Sequence, residues 1–206
     1  MAKKTYHHGN LRQALIEAAH QTLAADGVEG LSLRKVAQRA EVSPTALYSH
    51  FEDKRELLAQ LATQGFGQLS ASMQRGADNA VKGDNAMALE LAGMARGYVE
   101  FAMENTALFQ LMFGREVGNL LDFPGLVAAG SASYSMMANC VARQVDASGS
   151  VTSPPLAATA AWSLVHGLAT LLNDGRVSPE SCGVGSHHDM VAQVCATLAF
   201  AGPNAA

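Results

Sequence analysis

Apolar residues recur at three- and four-residue steps along almost the whole of this 206-residue chain, and no stretch alternates apolar with polar residues. That periodicity excludes a sheet and predicts an all-α protein of about nine helices. Leu11, Leu15, Ala18, Ala19 and Thr22 share one face and predict a helix over about 10–25, closed by Asp26-Gly27, where glycine supplies a left-handed cap. Ser32 caps a second helix with an apolar face of Leu33, Val36, Ala37 and Ala40. After a break at Glu41-Val42, Ser43-Pro44 opens a third, short helix that reaches about His50; serine caps it and proline fits its first position, where no amide donor is needed. Glu52-Asp53 opens a long fourth helix running to the 76–83 region. Five more helices are expected over 85–104, 106–113, 125–145, 156–172 and 187–201. Their linkers at 114–124, 148–155 and 174–186 are marked by Gly, Pro, Ser or Asp.

Charge is scarce and unevenly placed. Only 16% of residues are charged, against about 25% in ordinary soluble proteins, so part of the surface is expected to be covered by something else, such as a second subunit. The net charge is −4, yet eight of the fourteen Lys and Arg fall in residues 1–60. A nucleic-acid role must therefore rest on a local patch rather than on a basic chain. The three cysteines, Cys140, Cys182 and Cys195, form no C-x-x-C pair. Together with the lack of an apolar leader after Met1-Ala2-Lys3-Lys4, they lead us to expect a cytoplasmic protein without a disulfide scaffold. The charge-free run 156–172 is only 17 residues, rich in Ala and carrying His166. It is shorter than the roughly 20 strongly apolar residues a membrane span needs, and it reads as a deeply buried helix of a protein with no membrane partner.

The second and third helices are joined by a turn of three or four residues, which makes a helix-turn-helix. In that unit the later helix lays its first residues in the DNA major groove while the earlier one crosses the backbone. Ala37 is small enough for close approach, and Val42 and Leu47 are placed to plug the gap. Ser43, Thr45, Ala46, Tyr48, Ser49 and His50 are small or hydrogen-bonding, as a groove-facing surface requires. Lys54, at the start of the fourth helix beside free backbone amides, suits a phosphate.

The run Ser32-Leu33-Arg34-x-Val36-Ala37-x-x-Ala40-Glu41-Val42-Ser43-x-x-x-Leu47-Tyr48-x-His50-Phe51-x-x-Lys54-x-x-Leu57 resembles the signature of TetR/AcrR-type transcriptional regulators; with the first helix, the resemblance covers about 45 residues. The resemblance implies that Tyr48 and Lys54 touch phosphates. It implies too that Ser43, Pro44, Thr45 and Ala46 face bases, and that Arg34 reaches the backbone or a base edge. It further implies two parts: a DNA-binding domain over 1–54, and a helical ligand-binding and dimerisation domain over 55–206. The long fourth helix would transmit movement between them. Glu41 departs from the family, whose turn usually carries glycine; a left-handed residue there costs about 1 kcal/mol. Pro44 donates no amide, so its position is a shape contact only.

Trp162-x-x-x-His166-Gly167 is similar to a C-terminal domain of that family named for a Trp-His-Gly motif. Trp162 and His166 lie one helical turn apart on one face. They are either a core aromatic with a satisfied histidine or a pocket wall with a polar handle. Met94, Tyr98, Phe109, Met112, Phe113 and Met136 belong to a cluster of aromatics and methionines that is either ordinary core or the lining of a permissive apolar cavity. The opening Tyr6-His7-His8-Gly9-Asn10-Leu11-Arg12 with Lys3-Lys4 is either an arm reaching along DNA or a frayed terminus.

No Gly-rich phosphate loop, G-x-S-x-G or H-E-x-x-H occurs, so neither an enzyme nor a cofactor is expected. His187-His188-Asp189 lacks the spacing and the third ligand of a metal site. The expected function is that of a homodimeric repressor. It would hold a near-palindromic double-stranded DNA operator, pair through its last two helices, and be released by a small, mostly apolar effector. The alternative is a small-molecule-binding or enzymatic helical bundle with no salt-dependent affinity for DNA.

Overall fold

A computed structural model describes residues 8–80 and 86–197. Nine α-helices follow one another among these residues, with no strand: α1 His8–Gly30, α2 Leu33–Arg39, α3 Pro44–Tyr48, α4 Lys54–Asp78, α5 Ala86–Glu104, α6 Thr106–Phe113, α7 Pro124–Ser148, α8 Pro154–Asn173 and α9 His187–Ala196. Short 3-10 turns sit at Leu120–Asp122 and Glu180–Cys182. The N-terminal arm before His8 and the expected end of the last helix beyond Thr197 lie outside the described residues.

The helix ends follow the local chemistry. Ser32 accepts the Lys35 amide and Ser43 the Ala46 amide, while Ser186 caps α9 through the Asp189 amide. Gly27 stands at φ 69°, so the left-handed residue expected there is present, but a further turn of helix continues to Gly30 beyond it. At the head of α4, Asp53 accepts the Glu56 amide at 2.9 Å and the Glu56 carboxylate reaches back to the Glu52 amide at 2.7 Å. This reciprocal capping box starts the helix at Lys54, one residue later than the acids alone suggest.

The chain forms two compact units. The first takes the chain up to Phe66 together with Asn105–Ala129; the second takes Gly67–Glu104 and everything from Gly130. In the first, α1 packs on α2 and α6, and α2 on α3, around Leu15, Ile16, Leu23, Val36, Leu47, Phe51 and Leu57. Thus α6 and the segment after it share a unit with the first three helices. In the second, α5 packs against α8 and α9. Met137, Val141 and Val145 of α7 meet Ala157, Ala158 and Ala161 of α8. The later part of α4 crosses α5 backbone to backbone: a methyl on Gly93 would fall on the Gly76 carbonyl, and the Ser72 hydroxyl donates to the Gly97 carbonyl at 3.0 Å.

The description of α8 as deeply buried needs correction. Only 33% of its apolar stretch is buried. One face packs on α5, α7 and α9. The other carries Leu156, Thr159, Ala160, Ser163, Thr170 and Leu171 into the open, with no charged residue between Pro154 and Asn173.

Candidate nucleic-acid interface

The turn between α2 and α3 is held by its own backbone. The Ala40 amide donates to Val36, Glu41 to Gln38 and Val42 to Ala37, at 2.9–3.1 Å. Beneath it Leu47 is fully buried, with Ala37 and Val36 equally covered, while Val42 is half-buried. The small residue and the leucine therefore clamp α2 onto α3. Glu41 takes φ 56° and is the only non-glycine residue with positive φ among those described. Its side chain is exposed and makes no compensating contact that could explain the choice. Replacing Glu41 with glycine should raise stability by about 0.5–1 kcal/mol, visible as a rise in melting temperature with DNA affinity unchanged.

With Leu47 pointing inward, the opposite side of α3 turns outward. Ser43, Pro44 and Thr45 are exposed, Tyr48 is 58% exposed, and Ala46 and His50 are half-buried. The Ser43 oxygen is spent on its cap, but its O–H remains a donor. Arg34 projects from α2 into solvent, whereas its neighbour Lys35 is paired with Asp26 at 2.9 Å. Lys54 is half-buried, its ammonium 3.5 Å from the Val28 carbonyl, which fixes it between the end of α1 and the start of α4 with donors to spare. All eight residues named from the sequence for DNA contact thus belong to the first compact unit. Those of α3 and the start of α4 adjoin the buried Leu47–Phe51 turn.

Two arginines make tertiary contacts that no spacing in the sequence announces: Arg12, named there only as the end of the opening arm, and Arg55, given no role. Arg12 lies over the Phe51 ring at 5.1 Å and donates to Gln60 at 3.0 Å. Arg55 reaches the Val117 carbonyl at 2.9 Å and Asp122 at 2.6 Å, and stands 5.3 Å above the Phe123 ring. Asp53-x-x-Glu56 is a readable capping signal, but nothing local links Arg55 to partners more than sixty residues away.

Comparison with known proteins decides what this unit is. Residues 15–61 match the family model for bacterial regulatory proteins of the tetR family, and residues 91–195 match the one for the tetracyclin repressor-like C-terminal domain. The chain belongs to the TetR family of transcriptional regulators. A structure of a protein with unknown function from Rhodococcus sp. RHA1 is 32% identical, with TM-score 0.79 over 95% of this chain and 97% of that one. A TetR family transcription regulator from Marinobacter aquaeolei VT8 is 19% identical, with TM-score 0.62 over 92% and 95%, and shares the fold. The uncharacterized HTH-type transcriptional regulator YobS of Bacillus subtilis (strain 168) is 32% identical over 104 residues; the match spans about half the length of each chain. The Marinobacter and Bacillus proteins are named as transcription regulators, not enzymes. The Trp-His-Gly branch is a finer assignment than these matches make.

In the C-terminal part of this TetR-family chain, the residues named for a ligand fall into two groups. Phe109, Met112 and Phe113 belong to the first compact unit, where Phe113 meets Phe66 edge-on at 5.4 Å and Phe109 at 4.9 Å. Met112 lies against Gly65. Met94, Tyr98, Met136, Trp162 and His166 belong to the second. There the buried Tyr98 hydroxyl stands 2.8 Å from His166 Nδ1 and also bonds Trp162, whose ring meets Tyr134 at 5.8 Å. Burial pushes the Tyr98 phenol well above its ordinary value and holds the His166 imidazole below its own. The two groups are therefore neutral at pH 7 and share one hydrogen bond. A cavity of about 330 Å³ opens elsewhere in that unit, among Leu89, Leu91 and Ala92 of α5, Gln144 of α7, and Ala192 and Cys195 of α9. None of the sequence-named ligand residues lines it. Burial raises its Cys195 thiol to about 11, so the sulfur there is an inert thiol.

Proposed function

We propose that this TetR-family chain is a cytoplasmic homodimeric repressor. Residues 1–54 read one half of a near-palindromic operator, and residues 55–206 dimerise and take up a small, mostly apolar effector. One observation carries the reading: α3 turns Thr45 and Tyr48 outward while Leu47 is sealed beneath them, a geometry that leaves a groove-sized ridge of small and hydrogen-bonding groups. Thr45 then reads base edges with Ser43, Pro44 and Ala46 beside it. Tyr48, Lys54, Arg34 and His50 hold phosphates or the groove margin.

The outward face of α8 supports pairing with a second copy. Its Thr159, Ser163 and Thr170 hydroxyls each donate to the carbonyl four residues earlier, at 2.8–2.9 Å, so they leave little polarity on the surface. Paired α8 and α9 helices would fix two reading heads about one DNA turn apart. The neutral Trp162–Tyr98–His166 chain, with Met94 one turn before Tyr98 on α5, supports an effector that brings apolar bulk and one hydrogen-bonding group. An effector that binds better to the conformation with displaced heads lowers operator affinity by the same ratio.

Selection of bound sites from random duplex DNA should return an inverted repeat. Recovery of no site, or of an asymmetric one, would overturn the reading. On the selected duplex, Lys54→Ala should weaken binding to all sequences alike and lower the salt slope by about one, whereas Thr45→Ala should change base preference. Full affinity of Lys54→Ala at every salt concentration would remove Lys54 from the interface.

A further inference from the structure

The start of α4 is tied to the segment that follows α6 by a single side chain. Arg55 is the second residue of α4 and makes three contacts at once: Nε to the Val117 carbonyl at 2.9 Å, Nη2 to Asp122 at 2.6 Å, and the guanidinium face to Phe123. The backbone on the far side is shaped to receive it. Gly118, at φ 79°, passes so close that a Cβ there would lie 3.3 Å from Arg55 Nε. Asn119 steadies the turn through the Leu121 amide and Asp122. Arg55 and Asp122 are each partly open to solvent, so an ion pair alone would hold little. Three restraints in different directions on one planar group fix its orientation as a lysine could not. The residue before it is Lys54, the capping box Asp53–Glu56 encloses it, and Phe51, at the end of the α3 turn, is buried directly upstream.

We infer that Arg55 is a positioning residue for operator binding: with Val117, Asp122 and Phe123 it sets the first turn of α4, and through it the placement of Lys54 and the α3 ridge. The inference rests on the operator reading above and adds to it a route by which the segment after α6 governs DNA affinity. The clasp lies wholly within the first compact unit, where α6 also packs on α1. A shift of that segment is therefore felt at the reading head without any change in the residues that touch DNA.

The charge on Asp122 gives the test a sign. Removing a carboxylate from a DNA-binding protein tightens binding if only long-range electrostatics act. The clasp demands the opposite. On the duplex selected by the unaltered full-length protein, fluorescence anisotropy over a salt series should show Asp122→Asn weakening affinity by about three- to tenfold. Arg55→Met should weaken it at least as much with an unchanged salt slope, and Arg55→Lys, which keeps the charge but not the three contacts, should fall between. Melting temperature and helical circular dichroism establish that each variant is folded. Asp122→Asn alters a surface side chain without changing its size and keeps the test valid should Arg55→Met unfold. Tighter or unchanged binding by Asp122→Asn would overturn the inference. So would a slope lowered by about one in Arg55→Met, which would make Arg55 a direct phosphate contact instead. If the unaltered protein selects no duplex at all, the operator reading falls first and the clasp with it.

Discussion

If two copies pair through α8 as proposed, Ala160→Arg should leave a monomer whose operator affinity falls by at least about a hundredfold, because the second head loses its effective concentration at the neighbouring half-site. Ala160 sits at the middle of the open face of α8, flanked one turn away on either side by Leu156 and Ser163, and Leu156 is 63% exposed. In an isolated subunit an arginine at this exposed position has room to reach water, and surface substitutions of that kind change stability by no more than about 0.5 kcal/mol. Between two copies of α8 the same arginine would be buried without a partner, on a face with no carboxylate between Pro154 and Asn173, at a cost of several kcal/mol. Light scattering gives the mass, thermal melting the fold and anisotropy the affinity. A folded variant that kept the dimer mass and full affinity would place the interface elsewhere. Ala160→Ser, which adds a hydroxyl able to bond its own helix as Ser163 does, should leave both unchanged.

The features legible in the sequence were those decided within a few residues. Ser32, Ser43-Pro44 and Gly27 act where their chemistry places them, because a cap or a left-handed residue answers to its own backbone. The spacing of Ala37 and Leu47 likewise announced the clamp between α2 and α3, since both ends of it lie on one short segment. What periodicity could not tell is what a buried face lies against. Met94, Tyr98, Phe109, Met112 and Phe113 form one continuous aromatic and methionine run in sequence, yet the break at Asn105 sends the last three to a different compact unit from the first two. The α8 helix read as core because a run without charge looks apolar all round; composition alone did not separate its packed face from its open one. Arg55 had no local signal at all. Its partners follow it by more than sixty residues, and an arginine at the second position of a helix looks like any solvated cation.

The largest effects on stability should come from one substitution made at two glycines, with opposite signs. At Gly93 an added methyl would lie on the carbonyl group of Gly76, 2.8 Å from its carbon, and the reverse holds for a methyl on Gly76. Gly97 meets Ser72 one turn along in the same way, with 2.7 Å to the Ser72 carbonyl carbon. Both obstacles are backbone, so no rotamer change relieves them, and α4 and α5 must separate. That separation also stretches the bond from Ser72 to the Gly97 carbonyl. Gly93→Ala should therefore cost about 2–3 kcal/mol, overpacking outweighing the gain in helix propensity of about 1 kcal/mol. Gly67 lies in the interior of α4, exposed and with no other atom within 4 Å of a methyl placed there. Gly67→Ala keeps the propensity term without the clash and should stabilise by about 0.5–1 kcal/mol. For a chain of this length each kcal/mol moves the melting temperature by roughly 2–4 °C, so the two variants should melt on opposite sides of the unaltered protein and be separated by several degrees. Equal melting temperatures would mean that the close crossing of α4 and α5 is not a fixed feature of the folded protein. If Gly93→Ala alone were neutral, the two helices would have room to part there, and the glycines would be tolerated at the crossing rather than required by it.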